Sequence, residues 1–150
     1  MKLTVFALDD QRYALLLSRV ERVLPMLAVS PLPQAPGIAL GVINLHGRVI
    51  PVVDVRRRLG LPPRHHAVHD QMLVARSLRR TLALPVSRVL GVEEVAEGAV
   101  TPPGAVLPHI GHVAGIVAVE DGILLIHDLD TFLSLDEEQQ LGRALEDAAS

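Results

Sequence analysis

The chain has 150 residues, 49% of them hydrophobic and 21% charged, and a net charge of -3, a balance that fits one globular domain and excludes a disordered chain. It has no cysteine, and its aromatic residues are Phe6, Tyr13 and Phe132, which excludes disulfides, thiolate metal sites and cysteine nucleophiles and leaves the core to Val, Leu, Ile and Ala. With so few rings and no positive excess, the chain has little to stack on bases or attract phosphates, so no nucleic-acid partner is expected.

In chain order, the opening MKLTVFALDD is too short for a secretory signal. Leu3–Leu8 and Tyr13–Leu17 are apolar runs around the polar break Asp9–Arg12, which predicts a hairpin with a four-residue loop. Ser18 followed by Glu21 reads as a capping box, and Val20, Val23 and Leu24 have helical spacing, so a short helix ending at Pro25 is predicted. A proline-rich tract follows. Gly41–Leu45 and Arg48–Val53 then form a second hairpin around His46-Gly47. Pro51 lacks a donor and is expected at an edge or a bulge. Asp54 caps a helix over Val55–Leu59, stopped by Gly60 and Pro62-Pro63.

After a linker near residues 61–70, the pattern repeats. Gln71–Ala75 and Arg80–Leu84 read as a hairpin, Ser87-Arg88-Val89 answers Ser18-Arg19-Val20, and Leu107-Pro108 answers Leu32-Pro33. GIVAVEDGILLIHDL answers GVINLHGRVIPVVDV, matching Gly115 to Gly41, Gly122 to Gly47 and Asp128 to Asp54 with one extra residue in the turn. Two hairpin-rich units of this size suggest paired small barrels or sandwiches about a pseudo-twofold axis. Ser134 and Glu137 form another capping box, opening a C-terminal helix over about 136–148 with the stripe Leu141, Ala144, Leu145 and Ala148. The uncharged tracts Val23–Gly47 and Ala99–Val119 contain too many prolines to span a membrane as one helix.

Catalytic constellations are missing from the sequence. There is no GxSxG elbow and no glycine-rich phosphate loop. Ser18 and Ser87 sit where caps are needed, and Asp54 and Asp128 are paired by the repeat rather than by a catalytic spacing. His65, His66 and His69 could present imidazoles to a metal, with His109 and His112 as incidental ligands, but the first three read better as part of a solvated linker. No metal, no cofactor and no enzymatic activity are expected. Arg56-Arg57-Arg58 is either a solvated face or a basic patch for an acidic partner.

At this point the segment Gly41–Gly60 resembles the signature of CheW-family chemotaxis coupling proteins, GVINLRG-x-V-x-P-V-x-D-L-R-x-x-L-G. Gly41 to Leu45, Gly47, Val49, Pro51, Val52, Asp54, Arg56, Leu59 and Gly60 match it. The flanking PLPQAPGIALGVIN, SRVERVL and HVAGIVAVEDGILLIHDL are similar to the same family, so the likeness covers about Leu3 to Leu135. It implies a mainly β fold of two five-stranded SH3-like barrels within a single CheW-like domain. It also implies a non-enzymatic cytoplasmic adaptor joining the chemoreceptor cytoplasmic tip to the regulatory domain of a CheA-type histidine kinase, without membrane insertion. The partner-binding residues it points to are Arg22, Asn44, His46, Gly47, Arg48, Asp54 and Arg56. Receptor tips are helical, so a helix-in-groove contact between the barrels is expected. The family usually carries arginine at position 46 and often glutamate at position 22. Here those positions hold His46 and Arg22, which do not attract one another, with Glu21 assigned to the capping box. That departure leaves open an adaptor for a pilus or other motility output with altered partners.

Overall fold

The computed structural model describes residues 1–64, 67–102, 112–120 and 122–149. The strands of the first half are β1 (Lys2–Leu8), β2 (Gln11–Leu16), β3 (Val20–Pro25), β4 (Ala39–Leu45) and β5 (Arg48–Val53). The second half supplies β6 (Gln71–Arg76), β7 (Thr81–Val86), β8 (Arg88–Glu94), β9 (Val100–Thr101), β10 (Val113–Val119) and β11 (Gly122–His127). Helix α1 (Val55–Arg58) follows β5, and α2 (Leu135–Ala149) closes the chain. The fold is mainly β, as expected, with two SH3-like units.

Among the described residues the strands form a six-stranded sheet, β8-β1-β2-β11-β10-β9, and a five-stranded sheet, β3-β6-β7-β5-β4. The sixth strand is the two-residue β9, which pairs with β10. Its counterpart in the other sheet is a single bridge, Ser30↔Val42.

The sheets do not coincide with the two sequence repeats. Each repeat gives its first hairpin to one sheet and its remaining strands to the other, so β1-β2 sits with β8 to β11, and β6-β7 sits with β3 to β5. The joins are parallel pairings, β2 with β11 and β5 with β7. The segment after Gly60 therefore connects β5 to β6 within the five-stranded sheet.

This exchange explains the continuous aliphatic runs. Leu3, Val5, Ala14, Val117, Leu124 and Ile126 fill a small core inside the six-stranded unit. Ile43, Ile50, Val52, Met72, Val74 and Ala83 do so in the five-stranded unit. The alternate residues of the same strands, among them Phe6, Leu8, Leu15, Leu73, Leu82 and Leu84, form a third core shared by both sheets. Strands buried on both faces lose the polar-apolar alternation of a surface strand. Helix α2 closes one side with Leu141 and Ala144 in the shared core, while Ala148 at the far end of the predicted stripe is exposed. Its capping box is formed: Ser134 N donates to Glu137 Oε1 (2.8 Å), and Glu137 N donates to Ser134 Oγ (3.1 Å).

Several local expectations need correction. The predicted helix after Ser18 is a single 3₁₀ turn, Leu17–Arg19, followed by β3, and no side chain caps that turn. An isolated short helix has a costly nucleus, whereas β3 finds a complete antiparallel partner in β6. The first hairpin closes through Asp9-Asp10, since Leu8 pairs with Gln11. The last hairpin has no extra turn residue: Val119 pairs with Gly122 as Leu45 pairs with Arg48, so Gly122 stands where Arg48 does.

Pro51 lies neither at an edge nor in a bulge, because β5 runs between β7 and β4. It is tolerated because its opposite residue, Val42, turns both backbone groups away, exchanging 2.8 Å hydrogen bonds with Ser30. On the β7 side the register pair is Val52↔Ala83, which does not require Pro51.

Gly41 makes that arrangement possible. It sits at the register shift of β4 with φ +146°. An added Cβ would fall on the Ser30 carbonyl and 2.9 Å from Val29 Cγ1. Gly41→Ala should therefore lower the free energy of unfolding by about 3 kcal/mol, through strain and overpacking together. Urea denaturation checks this against Gly98→Ala, whose position is open.

His127, at the end of β11, is 4% exposed and packs at a tilt against Phe132, and neither ring nitrogen has a hydrogen-bond partner. Burial, and then the nearby His112 charge, push its pKa down from 6.5 to about 4. The unfolded chain thus takes up this proton first. Stability is full above pH 6.5 and falls as the pH drops toward 4, losing about 2 kcal/mol by roughly pH 5. Asp9 and Glu21, held by arginines below their ordinary values of 3.8 and 4.5, lose their contributions only at more acid pH. Urea midpoints between about pH 7 and pH 5 should therefore fall for the wild type and stay nearly flat for His127→Leu.

Candidate functional site

The β4-β5 hairpin turns through His46 (φ +54°) and Gly47 (φ +86°). Two successive positive φ values define the tight turn whose twist suits a hairpin, and they favour Asn-Gly over most pairs. Asn44 helps to hold it: its Oδ1 accepts from Gly47 N at 2.8 Å. Asn44, His46, Gly47 and Arg48 are all exposed at this end of the five-stranded sheet.

The turn is tied to the edge strand β3 by charge. Arg48 Nη1 donates to Glu21 Oε2 at 3.0 Å, and Nη2 donates to Glu21 Oε1 at 3.3 Å and to Thr81 Oγ1 at 3.0 Å. Thr81 in turn donates to Glu21 Oε1 at 3.1 Å. The Arg48 guanidinium, followed by the Thr81 hydroxyl, holds the Glu21 carboxyl below its ordinary pKa, and Glu21 raises that of Arg48. Glu21 occupies the register shift in β3 between Val20 and Arg22, which frees its side chain to reach across the sheet. Glu21 is therefore no cap.

Among the described residues the ion pair at this turn is Arg48 with Glu21, and positions 46 and 22, where the resemblance implied a pair, do not form one. Arg22 is exposed and makes no ion pair among the described residues. Glu21 and Thr81 were not anticipated as site residues. The signal was in the repeat: the segment answering SRVERVL is SRVLGVE, whose internal glycine and valines favour a strand over a helix.

Asp54 and Arg56 lie at the other end of β5. Asp54 Oδ1 accepts from Arg57 N at 3.1 Å and caps α1 as expected. Gly60 (φ +74°) ends it, with Leu61 N donating to Arg56 O at 2.9 Å. Arg56 is 4% exposed. Its Nη2 donates to Asp9 Oδ2 at 2.7 Å and to Pro62 O at 2.6 Å. Arg56 thus ties α1 to the first turn of the six-stranded sheet and presents no free fork to a partner. Ser87 is likewise no cap: its Oγ accepts from Asp9 N at 3.0 Å in the same cluster.

Of the histidines weighed as metal ligands, His65, His66 and His109 lie outside the described residues. Among the described residues no three or more His, Asp or Glu side chains converge on a metal position.

His46 carries a left-handed backbone without glycine's freedom, which costs about 1 kcal/mol. His46→Asn should recover about 0.5–1 kcal/mol of stability by completing an Asn-Gly turn, whereas His46→Ala should recover none. Thermal unfolding of the two variants checks this.

The comparisons fit this geometry. The CheW-like domain family model matches residues 2–137. The chemotaxis protein CheW of Rhizobium meliloti (strain 1021) is 27% identical over 140 residues, covering 92% of this chain and 90% of that protein. The chemotaxis protein CheW of Thermotoga maritima is 27% identical over 128 residues, covering 85% and 84%. The crystal structure of the scaffolding protein TtCheW from Thermoanaerobacter tengcongensis superimposes with a TM-score of 0.82 at 27% identity, covering 91% of this chain and 94% of that one. With two exchanged β units and a family match over nearly its whole length, this chain belongs to the CheW-like domain family of non-enzymatic chemotaxis scaffolds.

Proposed function

We propose that this chain is a coupling adaptor joining the cytoplasmic tip of a chemoreceptor to the regulatory domain of a CheA-type histidine kinase. In this reading it works in the cytoplasm, held at receptor arrays through its partners. No described helix is long and apolar enough to cross a membrane. Support comes from the family, whose named relatives are chemotaxis and scaffolding proteins.

One observation carries the partner surface: the Glu21–Arg48 pair fastens the His46-Gly47 turn to the strand that bears Arg22. A rigid turn and an unpaired arginine then meet at one end of the sheet, with Arg76 at the end of β6. Arg48 and Arg76 lie close to one carboxylate, Glu21, and Arg22 follows it in β3, so this end suits a partner that presents carboxylates. Asn44 and Gly47 set the shape of that surface, and Arg48 lends it charge while bound to Glu21. Asp54 and Arg56 serve it indirectly, by fixing the far end of β5.

The departures at positions 22 and 46 also favour a second reading, an adaptor matched to a pilus or other motility output. Binding titrations of the purified chain against a kinase regulatory domain and a receptor-tip fragment test both readings. Arg22→Ala should weaken binding to at least one fragment by about tenfold; unchanged affinity for both would overturn the assigned surface. A gain in affinity for a conventional kinase domain on His46→Arg would point to a coupler weakened by substitution, and no gain to a partner matched to histidine.

A further inference from the structure

At the opposite end of β5 from the His46 turn, a cavity of about 380 Å³ opens where both sheets meet α2. Gly37 and Ile38 line it from the tract before β4, Arg57 and Arg58 from α1, His112 from the start of β10, and Glu137 from α2. We propose that this cavity binds a small multivalent oxoanion of the phosphate or polycarboxylate class.

Charge is the first argument. Two arginines and an imidazole face one carboxylate, and Glu137 is already engaged as the acceptor of Arg58 Nη2. One guanidinium is left over. Planar guanidinium forks are the side chains best suited to oxoanions, through paired charge-assisted hydrogen bonds.

Preorganisation is the second. Arg57 Nη1 donates to Gly37 O at 2.8 Å, and the missing side chain at Gly37 makes room for it: an added Cβ would come within 3.0 Å of that nitrogen. Arg58 is held over the Phe132 ring, 5.7 Å from its centroid. Its Nε–H is buried with no hydrogen-bond partner.

His112 supplies the third. It holds a left-handed backbone (φ +61°) although it is not glycine. Its carbonyl accepts from Asp128 N at 2.7 Å, which locks that conformation, and its ring lies beside Thr131 Oγ1 (Nδ1 at 3.4 Å) and Phe132. Strain of this kind in a bulky residue gathers at ligand sites, where the surrounding structure maintains it. The cavity also falls within the roughly 300–1,000 Å³ range of small-molecule sites.

Calorimetric titration of the full chain at fixed ionic strength, with inorganic phosphate and separately with citrate, tests the site. Saturable one-site binding of at least one anion is expected, weakened about tenfold or more by Arg57→Ala and by His112→Asn. Asn is chosen because it tolerates the left-handed backbone. Arg79→Ala, which removes an exposed arginine in the β6-β7 turn, should leave the affinity unchanged. Thermal unfolding without anion confirms that the variants are folded. Binding of phosphate alone would identify a tetrahedral anion, and of citrate alone a carboxylate. Failure of both to saturate below about 10 mM, where binding is weaker than a dissociation constant of roughly 1 mM, would overturn the proposal. An equal loss in Arg79→Ala would overturn it too.

Discussion

The structure depends on burying both faces of the inner strands. Each sheet turns one face into its own small aliphatic core and the other into a core shared with its partner. A unit of five or six short strands buries too little apolar surface to be secure alone. Joining two around Phe6, Phe132 and the leucines of β1, β6, β7 and β11 makes one cooperative body. The hairpin exchange strengthens this, because neither repeat can complete a sheet without the other.

Polar contacts then fix how the two sheets meet. Asp9, in the first turn, receives Arg56 and Arg64 from the other sheet's side. Arg19 bonds Asp130 at 3.0 Å, and Asp130 also accepts from Leu78 N at 2.8 Å. Helix α2 is fastened through Glu137 to Arg58 and through Glu138 to Arg80. Removing one partner from the Arg56 cluster would leave a buried guanidinium unpaired, a larger cost than an exposed pair would carry. Such pairs set register and orientation, while the aliphatic cores supply most of the burial energy.

A division of labour along β5 follows. Its first residue, Arg48, belongs to the exposed turn, its middle is core, and its end leads into α1 and the arginine-lined cavity. The proposed partner surface and the proposed anion site thus lie at opposite ends of one buried strand. A signature that reads as a single motif serves three physical tasks: a turn, a core strand and a capped helix.

Much was legible in the residues alone. The His46-Gly47 and Gly122 hairpins, the Asp54 and Ser134 caps, the largely aliphatic core, though it also takes in Phe6, Tyr13 and Phe132, and the internal repeat are local or periodic features, and local chemistry decides them. The family followed from a motif whose glycines, proline and aspartate each have a positional reason. Four features were settled only by the tertiary structure. Glu21 looked like a capping residue until β6 offered β3 a partner. Pro51 looked like an edge residue until Ser30 took Val42's hydrogen bonds. Arg56 looked like a contact residue until Asp9 arrived from the far sheet. The exchange of hairpins left no trace in either repeat. In every case the deciding partner is distant in sequence, and nothing local to the residue records which partner it will meet.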